Sequence, residues 1–356
     1  MTPRPVGVLV VDDSPSSRAL LVHVLGTDPG ISVVGSVADG AAAQEFIREH
    51  PPDLVLMDIN MPGMDGFETT RRVMETRPLP IVICSATTAA GEVAVTFRAM
   101  EAGALACIAK PAAPTHPDFV RVAAELRQTV KLMAEVKVVR RRPLLRRPPM
   151  PSPPDVAGGD SMFQVVAIGA STGGPLVLRT ILSGLPASFP VPILIVQHIA
   201  NGFLPGLAEW LSLGSRVPVL IASQGLQPLP GHAYLAPDGL HMGVAASGRV
   251  VLSQEEPVNR LRPAVSHLFR TAAEACGPRA VGILLTGMGR DGAEELKLMR
   301  DRGAPTIAQD RASSVVHGMP GAAIELGGAE FVAAADNIPD VLTTLVARGP
   351  RRIIPQ

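Results

Sequence analysis

The sequence predicts an α/β protein of two doubly wound units, each a mostly parallel sheet covered on both faces by helices, joined by a linker. Three observations carry that expectation. Residues 6 to about 134 alternate strand-like apolar runs with helix-like amphipathic runs five times over, the pattern of a buried parallel sheet. Residues 137–160 then change character: Lys137, Arg140, Arg141, Arg142, Arg146 and Arg147 give way to a run rich in proline that ends on Gly158-Gly159, which reads as a linker. From Val165 the alternation resumes, with one hairpin-like insertion. The expected boundaries are therefore 1–136, 137–160 and 161–350.

Bulk composition narrows the class. Hydrophobic residues make up 47% of the chain and aromatics only 3%, so the cores must be built from Ala, Val, Leu and Ile. Lys+Arg and Asp+Glu both total 32, a balance that gives no general attraction to nucleic acid or to an anionic membrane. No apolar run reaches the ~18 residues of a membrane helix, and no signal-peptide pattern opens the chain. Cys84, Cys107 and Cys276 are isolated, which excludes a disulfide framework or a zinc site built on spacing. A soluble, cytoplasmic protein with no direct membrane insertion is expected.

In the first unit, Val6–Val11 reads as a buried strand ending on Asp12-Asp13, and Ser14-Pro15 opens a helix. Ile31–Val37 is a second strand, and 41–50 a helix. Leu54–Met57 is a third strand ending on Asp58, followed by a helix over 67–76. Ile81–Cys84 is a fourth strand ending on Ser85, with a helix over 92–101. A short fifth strand over 104–108 leads to Lys110-Pro111, and a long helix runs from Asp118. In such sheets ligands bind at the carboxyl ends of the strands. Asp12, Asp13, Asp58, Ser85 and Lys110 all fall there. One strand-end Asp is most often a cap. Three carboxylates on one edge, however, repel one another unless a cation sits among them, and hard oxygen ligands suit Mg²⁺.

Val11-Asp12-Asp13-Ser14, Leu56-Met57-Asp58-Ile59-Asn60-Met61-Pro62-Gly63-Met64-Asp65-Gly66 and Lys110-Pro111 resemble, in order and spacing, the receiver domain of two-component response regulators. The resemblance implies that Asp58 is the phosphoacceptor and that Asp12, Asp13 and Asp58 hold Mg²⁺. It also implies that Ser85 and Lys110 bind the phosphoryl oxygens and that a sensor histidine kinase is the phosphodonor. Cys107 stands three residues before the lysine, where the family usually carries an aromatic switch residue.

The second unit opens on Val165–Ile168, a strand that runs into Gly169-Ala170-Ser171-Thr172-Gly173-Gly174 and then an amphipathic helix. This turn has three readings: a phosphate-cradling loop, a nucleophile on a sharp turn of G-x-S-x-G form, or a plain strand–helix turn. Ile193–Gln197 is a strand ending on His198, followed by a helix over 206–213 and a strand over 217–221. Ala233–Pro237 and Gly248–Leu252 read as a hairpin. A helix over 263–276 precedes the buried strand 280–286 and a second glycine-rich turn, Gly287-Met288-Gly289-Arg290-Asp291-Gly292. A helix to Arg302, a strand over 305–308 and helices near 320–326 and 338–347 complete the unit.

Ser171, His198 and Asp291 each lie beyond a central strand, so they can converge although 120 residues separate the first from the last. Serine, histidine and carboxylate is the set acyl transfer needs, with N–H groups of the two glycine-rich turns to hold an oxyanion. Singly, His198 reads as a loop histidine and Asp291 as a helix cap. The order Ser…His…Asp differs from the Ser…Asp…His of α/β-hydrolases. No G-K-[ST] follows either glycine turn, which argues against a nucleotide site.

Five stretches resemble the catalytic domain of the chemotaxis protein-glutamate methylesterase family: 168–174, Val196-Gln197-His198, Tyr234-Leu235-Ala236-Pro237, 285–292 and 308–320. The resemblance implies hydrolysis of glutamyl γ-methyl esters, and deamidation of glutamines, on the cytoplasmic domains of methylated chemoreceptors. It implies Ser171, His198 and Asp291 as the triad, Thr172 and the Met288 N–H lining the site, and no cofactor for the esterase. Departures fall on the rim: 199–204 lacks the family's usual Met-Pro pair, and His317 replaces an aromatic. The competing reading is a receiver-controlled binding protein for an anionic ligand or DNA. The lack of a helix-turn-helix, of a basic recognition helix and of net positive charge speaks against it.

Overall fold

Apolar runs of four to seven residues fold into the central strands of two separate sheets in the computed structural model, which describes residues 4–85, 97–136, 138 and 162–349. The chain divides into two units, Met1–Arg147 and Pro148–Gln356. The stretch 137–160 lies, except for Val138, outside the described residues, as do 92–96 of the helix expected over 92–101. Residues 97–102 are helical.

The first unit is a five-stranded parallel sheet of β1 (Val6–Val11), β2 (Ile31–Val37), β3 (Leu54–Met57), β4 (Ile81–Ser85) and β5 (Ala106–Ala109), in the order β2-β1-β3-β4-β5. β3 and β4 are buried at every position, because helices cover both faces. The helices begin where the sequence supplies caps: Ser14, Asp39 and Asp65 accept the N–H groups of Ser17, Ala42 and Glu68, satisfying donors the first turn leaves unpaired. The strand order reverses beside β1, so the crevice at its carboxyl end is the ligand position of this topology.

The second unit is a seven-stranded parallel sheet ordered β14-β13-β12-β6-β7-β9-β8. Its strands are β6 (Val165–Ala170), β7 (Ile193–Gln197), β8 (Val219–Ile221), β9 (Ala233–Leu235), β12 (Ala280–Leu284), β13 (Thr306–Gln309) and β14 (Phe331–Ala333). β10 (His241–Val244) and β11 (Val250–Ser253) form an antiparallel pair apart from it. Ala233–Leu235 is thus not an arm of the hairpin, as its sequence suggests. It pairs in parallel with β7 and β8 inside the main sheet. β6, β7 and β12 are wholly buried, each Val, Leu or Ile contributing ~1.5–3 kcal/mol on burial. The first strand, β6, lies centrally. The chain winds away from it toward β7 and returns on its other side at β12, so the switch point falls at the carboxyl end of β6, where Ser171 begins the turn.

Candidate active site and phosphorylation site

In the second unit, register sets the first two residues. Ala170 pairs with Gln197, and the His198 N–H donates to the Ala170 carbonyl at 2.9 Å. Ser171 and His198 therefore open neighbouring loops one residue past paired strand ends. Gln197, 5% exposed, ties the loops together: its Nε2 donates to the carbonyls of Ser171 and His198, both at 2.8 Å. The Ser171 N–H donates to Thr286 O at 3.0 Å. Thr286 in turn donates its hydroxyl to Thr172 O and its N–H to Gln309 Oε1. The serine is thus pinned from both sides by buried amides and a hydroxyl whose partners are all backbone or buried groups. Gly173 adopts φ of 78°, which favours glycine. A Cβ on Gly287 would lie 2.6 Å from Ser171 Cβ, so only glycine lets the second loop approach the nucleophile this closely.

Asp291 arrives by a different route. It lies seven residues beyond β12 at the end of the second glycine-rich turn, and its carboxylate is 3% exposed. Oδ2 is 3.0 Å from His198 Nε2, an ion-pair distance, although Nε2 makes no well-aligned hydrogen bond. Asp291 is also a cap, but not of the helix that follows it. Its oxygens accept the N–H groups of Val265 at 2.7 Å and Ser266 at 3.2 Å, the first turn of the helix Val265–Cys276, whose own N-cap is Ala264 and has no side chain to offer. Burial works against ionisation of this carboxyl. His198, Ser266 and the Val265 N–H outweigh it and hold the group below the usual carboxylate range.

Ser171, His198 and Asp291 are therefore brought to one edge. Ser171 Oγ makes no hydrogen bond to His198 among the described residues, and such bonds commonly tighten only with substrate in place. Thr172 and Met288 are half-buried at the same edge. The N–H groups of Thr172, Gly173 and Met288 meet no acceptor among the described residues, so donors from both glycine turns are available to an anion. Gln197, Thr286 and Gln309 lie in motif stretches, but the sequence assigns them no role of their own. Their signal was polar residues at the inner ends of apolar strands, where an amide or hydroxyl must have a partner.

In the first unit, Asp12, Asp13 and Asp58 each offer a carboxylate oxygen within 4.8 Å of the others. Asp12 and Asp58 are buried and Asp13 is exposed. Asp12 is oriented by the Ser14 N–H at 2.9 Å and the Ser17 hydroxyl at 2.6 Å. Lys110 Nζ bridges Asp12 Oδ2 and Asp58 Oδ2, both at 2.7 Å. Burial pushes the Asp58 carboxyl up, with help from Asp12. The Lys110 hydrogen bond and charge oppose this without cancelling it. Burial would lower Lys110, but the two carboxylates raise it. Ser85 is buried at the end of β4, and its carbonyl accepts the Lys110 N–H at 2.9 Å. Three hard oxygen donors with one cation already drawn to them are the donor set a small divalent ion takes. Cys107 lies on β5 opposite Ile83, where burial raises its thiol pKa well above the usual value.

Comparisons with known proteins find a family for each unit. A family model described as CheB methylesterase matches residues 166–342, and one described as response regulator receiver domain matches 8–116. A protein-glutamate methylesterase/protein-glutamine glutaminase of Geobacter metallireducens is 53% identical over 342 residues, covering 96% of this chain and 99% of its own. One from Syntrophus aciditrophicus is 52% identical over 344 residues, covering 96% and 98%. The crystal structure of the Thermotoga maritima CheB methylesterase catalytic domain is similar with 40% identity and a TM-score of 0.50, over 52% of this chain and 99% of that one.

Proposed function

Because the chain belongs to the CheB methylesterase family and carries that family's receiver domain, we propose that Ser171, His198 and Asp291 are the triad through which it acts. It is a receiver-regulated protein-glutamate methylesterase/protein-glutamine glutaminase of chemotaxis. The observation that carries the assignment of residues is the Asp291 carboxylate. It is buried, ionised and 3.0 Å from His198, one strand away from a serine at the switch point.

In the catalytic arrangement the imidazole turns its N–H to Asp291 and leaves the lone pair of its other nitrogen as the base. Ser171 Oγ attacks the γ-carbonyl carbon of the glutamyl ester while His198 takes the hydroxyl proton. The tetrahedral oxyanion is held by the N–H groups of Thr172, Gly173 and Met288. Its collapse breaks the C–O bond, and His198 returns the proton to the leaving methoxide, which departs as methanol. Water, deprotonated by His198, then attacks the acyl-serine and releases the glutamate carboxylate. A glutamine side chain follows the same path and releases ammonia. Asp291 steadies the imidazolium in each half-reaction.

In the receiver domain, Asp58 is proposed as the phosphoacceptor, and Asp12 and Asp13 as the residues that hold Mg²⁺ beside it. When bound, the ion supplies positive charge against the phosphoryl oxygens. Lys110 already reaches both buried carboxylates and would follow the phosphoryl group, with Ser85 beside it. The receiver implies a kinase as donor, here a sensor histidine kinase, and the family implies methylated receptors as substrates, met in the cytoplasm through their cytoplasmic domains. No helix among the described residues is long and apolar enough to cross a membrane. The test is Ser171→Ala in the full chain. Ester hydrolysis should vanish while the thermal melt is retained, and turnover above a few per cent of wild type would remove Ser171 as the nucleophile.

A further inference from the structure

Beside the triad the second unit has a cavity of about 530 Å³, lined by Gly289, Arg290, Arg311, His317, Gly318 and Glu325 among others. We propose that this groove is a carboxylate-binding subsite that recognises acidic side chains flanking the esterified glutamate of the polypeptide substrate. The proposal rests on the reading of Ser171 as nucleophile and adds to it what the enzyme selects.

The groove is continuous with the catalytic loops. Gly289 and Arg290 lie between Met288 and Asp291. The Gly318 N–H donates to Gly287 O at 3.1 Å, and Gly287 is the residue packed on Ser171. Gly287 and His317 form a parallel bridge. His317 Nε2 lies 3.2 Å from the Gln309 carbonyl, which can only accept, so the ring is anchored by Nε2–H. In this proposal the residues that flank the ester lie over the groove, whose lining shares a loop with Met288 and Asp291.

The positive charge there has no ion-pair partner among the described residues. Arg290 and Arg311 are exposed, and neither makes an ion pair or side-chain hydrogen bond among the described residues. By contrast Arg270 is held by Glu295, Arg300 by the carbonyls of Gly327 and Ala329, and Arg302 by Ala273 O. The carboxylates next to them in sequence are taken: Asp310 by the Ser313 N–H and hydroxyl, and Asp291 by Val265, Ser266 and His198. Glu325 lines the groove but pairs with neither arginine. Two guanidinium groups on two loops around one cavity suit carboxylates, which each can bind in a forked manner. The reactive side chain is itself neutral as an ester, so the negative charge these arginines meet must come from its neighbours.

The test uses the full chain and two synthetic peptides, each with one glutamyl γ-methyl ester, flanked in one by glutamates and in the other by glutamines. Methanol release should give wild type a kcat/KM about tenfold higher on the acidic peptide. That is ~1.4 kcal/mol, within reach of two solvent-exposed charge pairs, and it should shrink with added salt. The Arg290→Gln/Arg311→Gln protein should treat the two peptides alike, through KM, whereas Arg290→Lys/Arg311→Lys should keep part of the preference. A wild-type ratio of one, or a ratio unchanged in the glutamine variant, overturns the proposal. The nucleophile is tested separately, by Ser171→Ala in the same assay, which should release no methanol from either peptide. Should wild type hydrolyse neither peptide, the groove is decided by fluorescence anisotropy of the same peptides, where tighter binding of the acidic one that is lost in the glutamine variant supports it and equal binding overturns it.

Discussion

Asp291→Asn separates the two duties of this side chain. In the wild type the carboxylate pairs with His198 at 3.0 Å and caps the helix Val265–Cys276 through the N–H groups of Val265 and Ser266. Asparagine keeps one oxygen acceptor and the shape, but it loses the charge and one of the two cap bonds. A cap contributes ~0.5–2 kcal/mol and a charge at a partly buried helix N-terminus up to ~2 kcal/mol. The substitution should therefore cost ~1–2 kcal/mol, or about 2–8 °C in the melt of a unit this size. Turnover should fall ~10³–10⁴-fold, because the imidazole loses its orientation and counter-charge. That loss should still be smaller than the loss on removing Ser171, since the oxyanion donors and the base remain. The pH dependence is diagnostic. Asp291 is held below its unfolded value near 3.8, so its contribution to stability is complete above that pH and disappears as pH falls through the lower folded value. The difference in melting temperature between wild type and variant should be full at pH 7 and should shrink below about pH 4. Hydrolysis at the wild-type rate, or an unchanged melt at pH 7, would refute the reasoning.

Gly287→Ala should lower turnover and cost ~1–3 kcal/mol, because its Cβ would lie 2.3 Å from Met319 Sδ and 2.6 Å from Ser171 Cβ; paired melting and rate measurements check this. Lys110→Met should destabilise the receiver by ~2–3 kcal/mol, somewhat less than the loss of a fully buried partner, and Mg²⁺ should restore part of it in chemical denaturation. Asp58→Asn should raise the receiver's melting temperature at pH 7 and not at pH 3. The Asp58 carboxyl sits above its unfolded value, so any stability it contributes is present in acid and lost as pH rises through the folded value.

Much of both sites was legible because parallel sheets put function at strand ends, and a run of buried apolar residues marks where a strand stops. Asp12, Asp58 and Lys110 meet around one edge, and Ser171 and His198 follow paired strands, as their positions suggested. What periodicity cannot show is which distant element a side chain reaches. Asp291 looked like the cap of its own helix and instead caps one 26 residues earlier. Ala233–Leu235, three residues between turn formers, carried no pattern to separate a hairpin arm from a strand of the main sheet, since pairing between distant segments leaves no local trace. Gln197 and Gln309 were invisible as scaffolding because their partners are backbone groups of other loops.

Control of a serine methylesterase by a phosphorylatable receiver is measured by methanol release from methylated receptor cytoplasmic domains. Three samples are compared: the full chain, the full chain with a small phosphodonor and Mg²⁺, and residues 160–356 alone, with Asp58→Asn as the control. The second and third should be faster than the first, and Asp58→Asn should ignore the donor. A full chain that releases methanol no faster with the donor than without it, or an Asp58→Asn protein that still responds, would contradict it.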